Sequence, residues 1–223
     1  MLTINSIFTD FIGEGLYTGQ PALFIRFQGC NLDCPFCDEP QSKKDGPSIS
    51  MSEEDLLAQI QLQDYRVRHV VLTGGEPLLQ VTYGLLCEIQ KIKHVILETN
   101  GDVDTPWLVD FMEEKYDVHL TISPKPRDFF FGGARAKVHC KYLHIADEVK
   151  LIYPVFGRPL IEEVRDSIQF ILNCIDATSP HYQIVRIMPK DNEKENLIKC
   201  RQLAGMFPLI SVGMQAHKVW GEY

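Results

Sequence analysis

The chain has 223 residues, 45% apolar and 23% charged, the balance of a globular protein long enough to bury a core without staples. Lys and Arg total 22 against 30 Asp and Glu, a net charge of −8, which argues against a broad nucleic-acid face and for a small-molecule partner. No stretch reaches the about 18 apolar residues of a membrane span, and no basic segment followed by an apolar run opens the chain. A cytoplasmic protein with no direct nucleic-acid or membrane partner is expected.

In chain order, the first strand-like run is Ala22–Gln28, followed by a polar loop at Gly29–Asp38. Ser52 reads as the cap of a helix whose first turn carries Glu53, Glu54 and Asp55. Strands and helices then alternate: strand His69–Thr73, helix Leu78–Lys91, strand His94–Thr99, helix Pro106–Lys115 and strand Val118–Ser123. The segment Pro126–Lys141 breaks the pattern and reads as an insertion or lid. Strand Glu148–Tyr153, helix Ile161–Cys174, strand Gln183–Met188, helix Glu193–Met206 and strand Leu209–Met214 complete the chain. Most of these strands read as continuous apolar runs, as strands covered on both faces should.

This β-α alternation predicts an α/β fold, a partial (β/α)6-type barrel with parallel strands, formed by residues 1–223 as a single domain. Ligands of such folds gather at the carboxyl ends of the strands. The polar motifs lie there: Gly29–Asp38, Thr73–Pro77, Glu98–Gly101 and Ser123–Lys125.

Cys30, Cys34 and Cys37 are spaced C-x3-C-x2-C on one loop. Three thiolates suit a soft metal, and three is one fewer than a closed zinc or cubane site needs, so one position stays open for something other than protein. Structural zinc is the alternative, but no fourth Cys or His follows at a knuckle spacing, and His69, His94 and His217 are distant in sequence. Cys87, Cys140, Cys174 and Cys200 are scattered singly and read as buried small hydrophobes or incidental thiols rather than a disulfide framework. In Thr73-Gly74-Gly75-Glu76-Pro77 the glycines permit close backbone approach to a ligand and Glu76 can accept hydrogen bonds from an ammonium.

The cysteine loop, with Phe36 before its third cysteine, and the Gly-Gly-Glu motif resemble the signatures of the radical S-adenosylmethionine superfamily. That resemblance implies a 4Fe–4S cluster on Cys30, Cys34 and Cys37, whose free iron chelates S-adenosylmethionine, and an external, flavodoxin-like electron donor. Within the superfamily, further segments are similar to 7-carboxy-7-deazaguanine synthase. They are Ile4–Phe8, Gly13-Glu14-Gly15, Gly19–Ala22, Phe24–Cys30, His69–Pro77, Glu98–Gly101, Ser123-Pro124-Lys125 and Met214–Lys218.

The family resemblance implies radical ring contraction of 6-carboxy-5,6,7,8-tetrahydropterin to 7-carboxy-7-deazaguanine, with loss of ammonia, assisted by Mg2+ and carried out by a homodimer. It implies substrate contacts from Phe11, Ile12, Gly13, Glu14, Arg26 and Thr73, with Arg26 pairing the substrate carboxylate. It implies S-adenosylmethionine contacts from Phe36, Cys37, Asp38, Gly75, Glu76, Ser123, Pro124 and Lys125. No protein side chain is expected to be the catalyst, because the radical performs the abstraction. Four positions depart from the family pattern: Ile12 stands for a glutamine, Glu39 for a magnesium-binding hydroxyl residue, Met188 for a glutamine, and the closing Val219–Tyr223 lacks a proline. A carboxylate at 39 is itself a hard-cation ligand. A radical enzyme acting on a related heterocycle, or a glycyl-radical activase, is the alternative.

Overall fold

The computed structural model describes residues 1–34, 37–43, 46–114, 117–125, 140–153, 161–175 and 184–221. Among the described residues nine strands form one open sheet: β1 (Leu2–Phe11), β2 (Pro21–Phe27), β3 (Ile49–Met51), β4 (His69–Gly74), β5 (His94–Thr99), β6 (Val118–Ile122), β7 (Glu148–Tyr153), β8 (Ile184–Pro189) and β9 (Ile210–Val212). Their order is β3-β1-β2-β4-β5-β6-β7-β8-β9. Each neighbouring pair from β2 to β9 is parallel, while β1 pairs antiparallel with both β2 and β3. The partial parallel barrel is therefore present, extended by an antiparallel flank.

The helices are α1 (Glu53–Gln61), α2 (Tyr83–Gln90), α3 (Trp107–Glu113), α4 (Cys140–Ile145), α5 (Ile161–Cys174), α6 (Lys194–Met206) and α7 (His217–Trp220). From α1 to α6 each packs on the next, forming an outer layer. Among the described residues no helix is long and apolar enough to cross a membrane. Ser52 caps α1, its hydroxyl accepting from the Asp55 backbone at 3.0 Å.

The long helix expected over Leu78–Lys91 is divided. Pro77–Leu79 is a 3-10 turn and α2 starts only after Thr82, whose hydroxyl accepts from the Leu85 backbone. The proposed insertion falls on 126–139, outside the described residues, and its last two residues open α4. Cys174 is disulfide-bonded, not an incidental thiol.

Successive strand residues point to opposite faces, and the two faces differ sharply. On the helix side Leu23, Ile25, Phe27, Val70, Leu72, Val95, Leu97, Leu120, Val149, Leu151 and Ile187 are buried against Leu56, Leu85, Phe111, Tyr142, Val164 and Leu203. Each such side chain contributes roughly 1.5–3 kcal/mol. The inner face instead carries Arg26, Thr73, Glu98, Thr121, Glu148, Lys150 and Arg186, around a small apolar patch of Ile12, Ala22, Val71 and Ile96. The strands are thus alternating rather than uniformly apolar.

The 12–20 loop fills the inner face. At the amino ends of the strands Tyr17 packs on the rings of His69, His94 and His119, with centroids 4.9, 5.1 and 5.0 Å away. His69 Nδ1 and His94 Nδ1 are 3.0 Å apart, so one donates and the other accepts. Burial holds both imidazoles below the usual histidine range. At the carboxyl ends of the strands the same loop presents Glu14, where the polar motifs converge.

Candidate active site

The three-cysteine loop leaves β2, and its backbone is locked to the loop after β4. Gly75 N donates to Phe27 O at 2.9 Å, Glu76 N to Gly29 O at 2.8 Å, and Gly29 N to Ser42 O at 2.9 Å. A Cβ on Gly75 would stand 1.9 Å from Gly29 O, and one on Gly74, at φ +112°, would stand 2.5 Å from Phe27 N. The two glycines are required by chain meeting chain.

Glu76 is 1% exposed, and its carboxylate is taken up within the protein. Oε1 accepts from Thr99 Oγ1 at 2.6 Å and Leu78 N at 3.1 Å, while Oε2 accepts from Asn100 N at 2.9 Å. Burial raises its pKa, opposed by those three donors. Asn100 Nδ2 then donates to Asn31 Oδ1 at 2.9 Å, and Asn31 to Asp102 Oδ2 at 3.2 Å, tying the cysteine loop to the end of β5. Glu76 therefore rivets three loops together. Glu76→Ala leaves several buried donors unpaired, so a loss of about 3 kcal/mol in urea unfolding is expected.

Cys30 and Cys37 are half-buried, Cys34 is buried, and all three are free. Burial pushes each thiol up, and each is raised further by charge on a neighbouring cysteine or acid. Two cations oppose this: Lys125 and Lys43 both lower Cys34, and Lys43 lowers Cys37. Lys43 Nζ donates to Asp33 at 2.7 Å and to Cys34 O at 2.9 Å. Lys125 Nζ donates to Ser123 O at 2.7 Å and Ser123 Oγ at 2.6 Å, and burial lowers its pKa. Desolvated soft donors flanked by two ammonium groups fit an anionic iron–sulfur centre. A cleft of about 620 Å³ runs beside the loop, lined by Cys30, Asn31, Leu32, Asp33, Gln41 and Lys43 among others. Among the described residues no three His, Cys, Asp or Glu side chains gather closely enough for one ion. A 4Fe–4S cluster would not require that closeness, since each thiolate would bind a different iron. Phe36 lies outside the described residues.

Beside this loop the inner face carries a charged network. Lys150 Nζ lies 2.6 Å from Glu98 Oε1 and 3.2 Å from Glu14 Oε2. Thr73 Oγ1 donates to Glu98 Oε2 at 3.1 Å, and Gln215 Nε2 to Glu14 Oε1 at 3.0 Å. Gln215 also accepts from Asp191 N at 2.8 Å, where Asp191 and Asn192 both hold positive φ. Arg26 pairs with Glu39 at 2.6 Å and lies 4.9 Å over the Phe8 ring. Its partner is thus the candidate magnesium ligand.

The structure brings together Glu14, Arg26, Glu39 and Thr73 from the expected site. Ile12 turns away: its side chain is buried with Val71 and Ile96, and its backbone pairs with Gly19 and Gln20. Phe11 is half-exposed at the end of β1. Gly13 is pressed against His217, with its carbonyl accepting from Ala216 N at 2.8 Å. His217 itself is exposed and not a core histidine, and Met188 is fully buried. Lys150 had no role in the sequence reading, and Gln215 entered it only within the family-like segment Met214–Lys218. The alternation Glu148, Lys150, Ile152 along β7 was the available signal for the first.

The Radical SAM superfamily model matches residues 24–125. The chain is 38% identical over 154 residues to 7-carboxy-7-deazaguanine synthase from Bacteroides thetaiotaomicron, covering 69% of this chain and 71% of that protein. The chain belongs to this family. It is also 35% identical over 155 residues to the Aquifex aeolicus 7-carboxy-7-deazaguanine synthase, covering 68% of this chain and 65% of that protein, a little under two thirds of the relative's length. The crystal structure of QueE from Escherichia coli matches with a TM-score of 0.74 and 26% identity, over 97% of this chain and 94% of that one.

Proposed function

We propose that the chain is a 7-carboxy-7-deazaguanine synthase, contracting 6-carboxy-5,6,7,8-tetrahydropterin to 7-carboxy-7-deazaguanine with release of ammonia. The observation that carries this reading is the charged inner face, with Glu14, Glu98, Thr73 and Arg26, beside a desolvated three-thiol loop in a member of that family. When bound, the 4Fe–4S cluster and S-adenosylmethionine supply a 5′-deoxyadenosyl radical that takes a hydrogen atom from the substrate.

The chain's own residues hold and orient. Cys30, Cys34 and Cys37 ligate the cluster. Phe36, Asp38, Gly75 and Ser123-Pro124-Lys125 contact S-adenosylmethionine, and Glu76 shapes that site through the loops it joins. Phe11, Ile12 and Gly13 form the wall behind Glu14, with Ile12 contributing packing. Arg26 takes the substrate carboxylate, and Glu39 binds Mg2+. Residues 1–223 act as one domain, supported by the single sheet running from β1 to β9. A homodimer, an external electron donor of flavodoxin type and a cytoplasmic setting complete the reading.

The test is an anaerobic assay of reconstituted protein with S-adenosylmethionine, reductant, Mg2+ and 6-carboxytetrahydropterin, read by mass spectrometry. A product lighter than the substrate by ammonia, formed over many turnovers per S-adenosylmethionine, is expected. Formation of 5′-deoxyadenosine without that product would move the assignment to another heterocycle.

A further inference from the structure

Lys150 is 5% exposed on a strand whose helix-side neighbours, Val149 and Leu151, are fully buried. Its ammonium is placed between carboxylates from two distant segments, Glu14 and Glu98. The gradient of exposure is informative: the lysine side chain is 6% exposed, while those of Glu14 and Glu98 are 17% and 27% exposed. The cation lies underneath and the two carboxylates keep the greater exposure on the inner face. Each spends one oxygen on Lys150 and the other on a neutral donor, Gln215 Nε2 or Thr73 Oγ1.

Among the described residues, other charged groups also act on the ammonium. Glu148, two residues earlier on β7, adds negative charge, but it is matched by Arg186 at 2.6 Å. Lys125, from the end of β6, is turned back onto Ser123 and adds positive charge at longer range. Two carboxylates gathered on one ammonium repel each other once that cation is removed.

We propose that Lys150 is a positioning residue of the substrate site. It holds Glu14 and Glu98 as an ionised, fixed pair of acceptors for the N–H groups of the heterocycle. The lysine does not touch the substrate, and it acts through the two carboxylates that do. This inference rests on the pterin reading above for the ligand, though not for the carboxylate pair itself.

The test uses the reconstituted holoenzyme and the variants Lys150→Met and Lys150→Arg, with two readouts between pH 5 and 8.5. The first is stability by urea unfolding, which needs no substrate. In Lys150→Met the uncompensated pair binds a proton more tightly when folded than when unfolded. Its contribution is therefore full at low pH and is lost as pH rises through the folded value. His69 and His94, whose imidazoles are held below the usual range, cost both proteins stability toward pH 5 alike, so they drop out of the difference. The difference between the two proteins should therefore shrink markedly from pH 8 to pH 5, and Lys150→Arg should track wild type.

The second readout is 6-carboxytetrahydropterin affinity. A loss of roughly 30-fold at pH 7 is expected for Lys150→Met, with a new dependence on pH, against a few-fold for Lys150→Arg. If Lys150→Met does not fold, Lys150→Met/Glu98→Gln, which removes the repulsion, should. A stability difference constant with pH, or an equal and pH-independent loss of affinity in both single variants, would overturn the proposal, as would a double variant that also fails to fold. Wild type that does not bind the pterin would overturn the functional reading, while the stability profile would still decide the role of Lys150.

Discussion

Alanine at Cys30, Cys34 or Cys37 should leave a folded protein that forms no 5′-deoxyadenosine. The three thiols are the only soft donors on the loop. Burial holds each in its neutral form, so metal must take the proton's place for a thiolate to exist there. Removing one ligand cannot be made good by its neighbours, Asp33 and Asp38, whose hard oxygens suit other ions. The loss should far exceed the about 10–100-fold typical of an outer-shell change around a metal, taking S-adenosylmethionine cleavage to background.

The fold should survive because the loop is held without the sulfurs. Gly29 N to Ser42 O, Glu76 N to Gly29 O, Asn100 to Asn31 and Lys43 to Asp33 all remain. Iron and sulfide analysis with circular dichroism separates loss of the centre from loss of the fold. Normal 5′-deoxyadenosine formation in any of the three variants would dismiss the loop as the cluster site.

The strands were legible because each carries its own local signal. β5 and β7 match the apolar runs end to end, and α5 matches from Ile161 to Cys174. β1 was missed because Leu2–Phe11 mixes polar and apolar residues, and it is only partly covered, as an antiparallel flank is. β3 has three residues, too few for any period to register. The site was legible as motifs and less so as contacts. Gly-Gly-Glu reads as a ligand loop, yet its glycines answer to Gly29 and Phe27 and its carboxylate to Thr99 and Asn100. Partners that lie far apart in sequence, such as Glu14 with Gln215, 201 residues apart, have no local signature. Lys150 was hidden for another reason: the two charges of Glu148–Tyr153, Glu148 and Lys150, were averaged into a strand read as apolar. The alternation of Glu148, Lys150 and Ile152 marks an inner face that carries charge, opposite the apolar helix side.

Arg26→Ala should weaken 6-carboxytetrahydropterin binding by about 10–150-fold, the worth of a charge-assisted contact, while uncoupled 5′-deoxyadenosine formation persists. The guanidinium is 29% exposed and Glu39 is 31% exposed, so their 2.6 Å pair is accessible in a way that the 6% exposed Lys150 is not. The pair has a consequence for any incoming carboxylate: it competes with Glu39 for the same planar fork. Glu39 is itself drawn two ways, with burial and Asp38 raising its pKa and Arg26 and His217 lowering it. A divalent cation on Glu39 would resolve the competition by taking over the carboxylate and releasing Arg26.

Glu39→Ala should therefore bind the pterin without needing Mg2+, and its affinity should barely respond to Mg2+, whereas wild type should tighten as Mg2+ is added. Isothermal titration of both proteins with and without Mg2+ reads this directly. Unchanged affinity in Arg26→Ala would remove Arg26 from the substrate site, and an intact Mg2+ response in Glu39→Ala would put the metal elsewhere. The double variant Arg26→Ala/Glu39→Ala separates the two roles. If the cation acts by freeing Arg26, Mg2+ should leave the double variant's weak affinity unchanged, because no guanidinium remains to release.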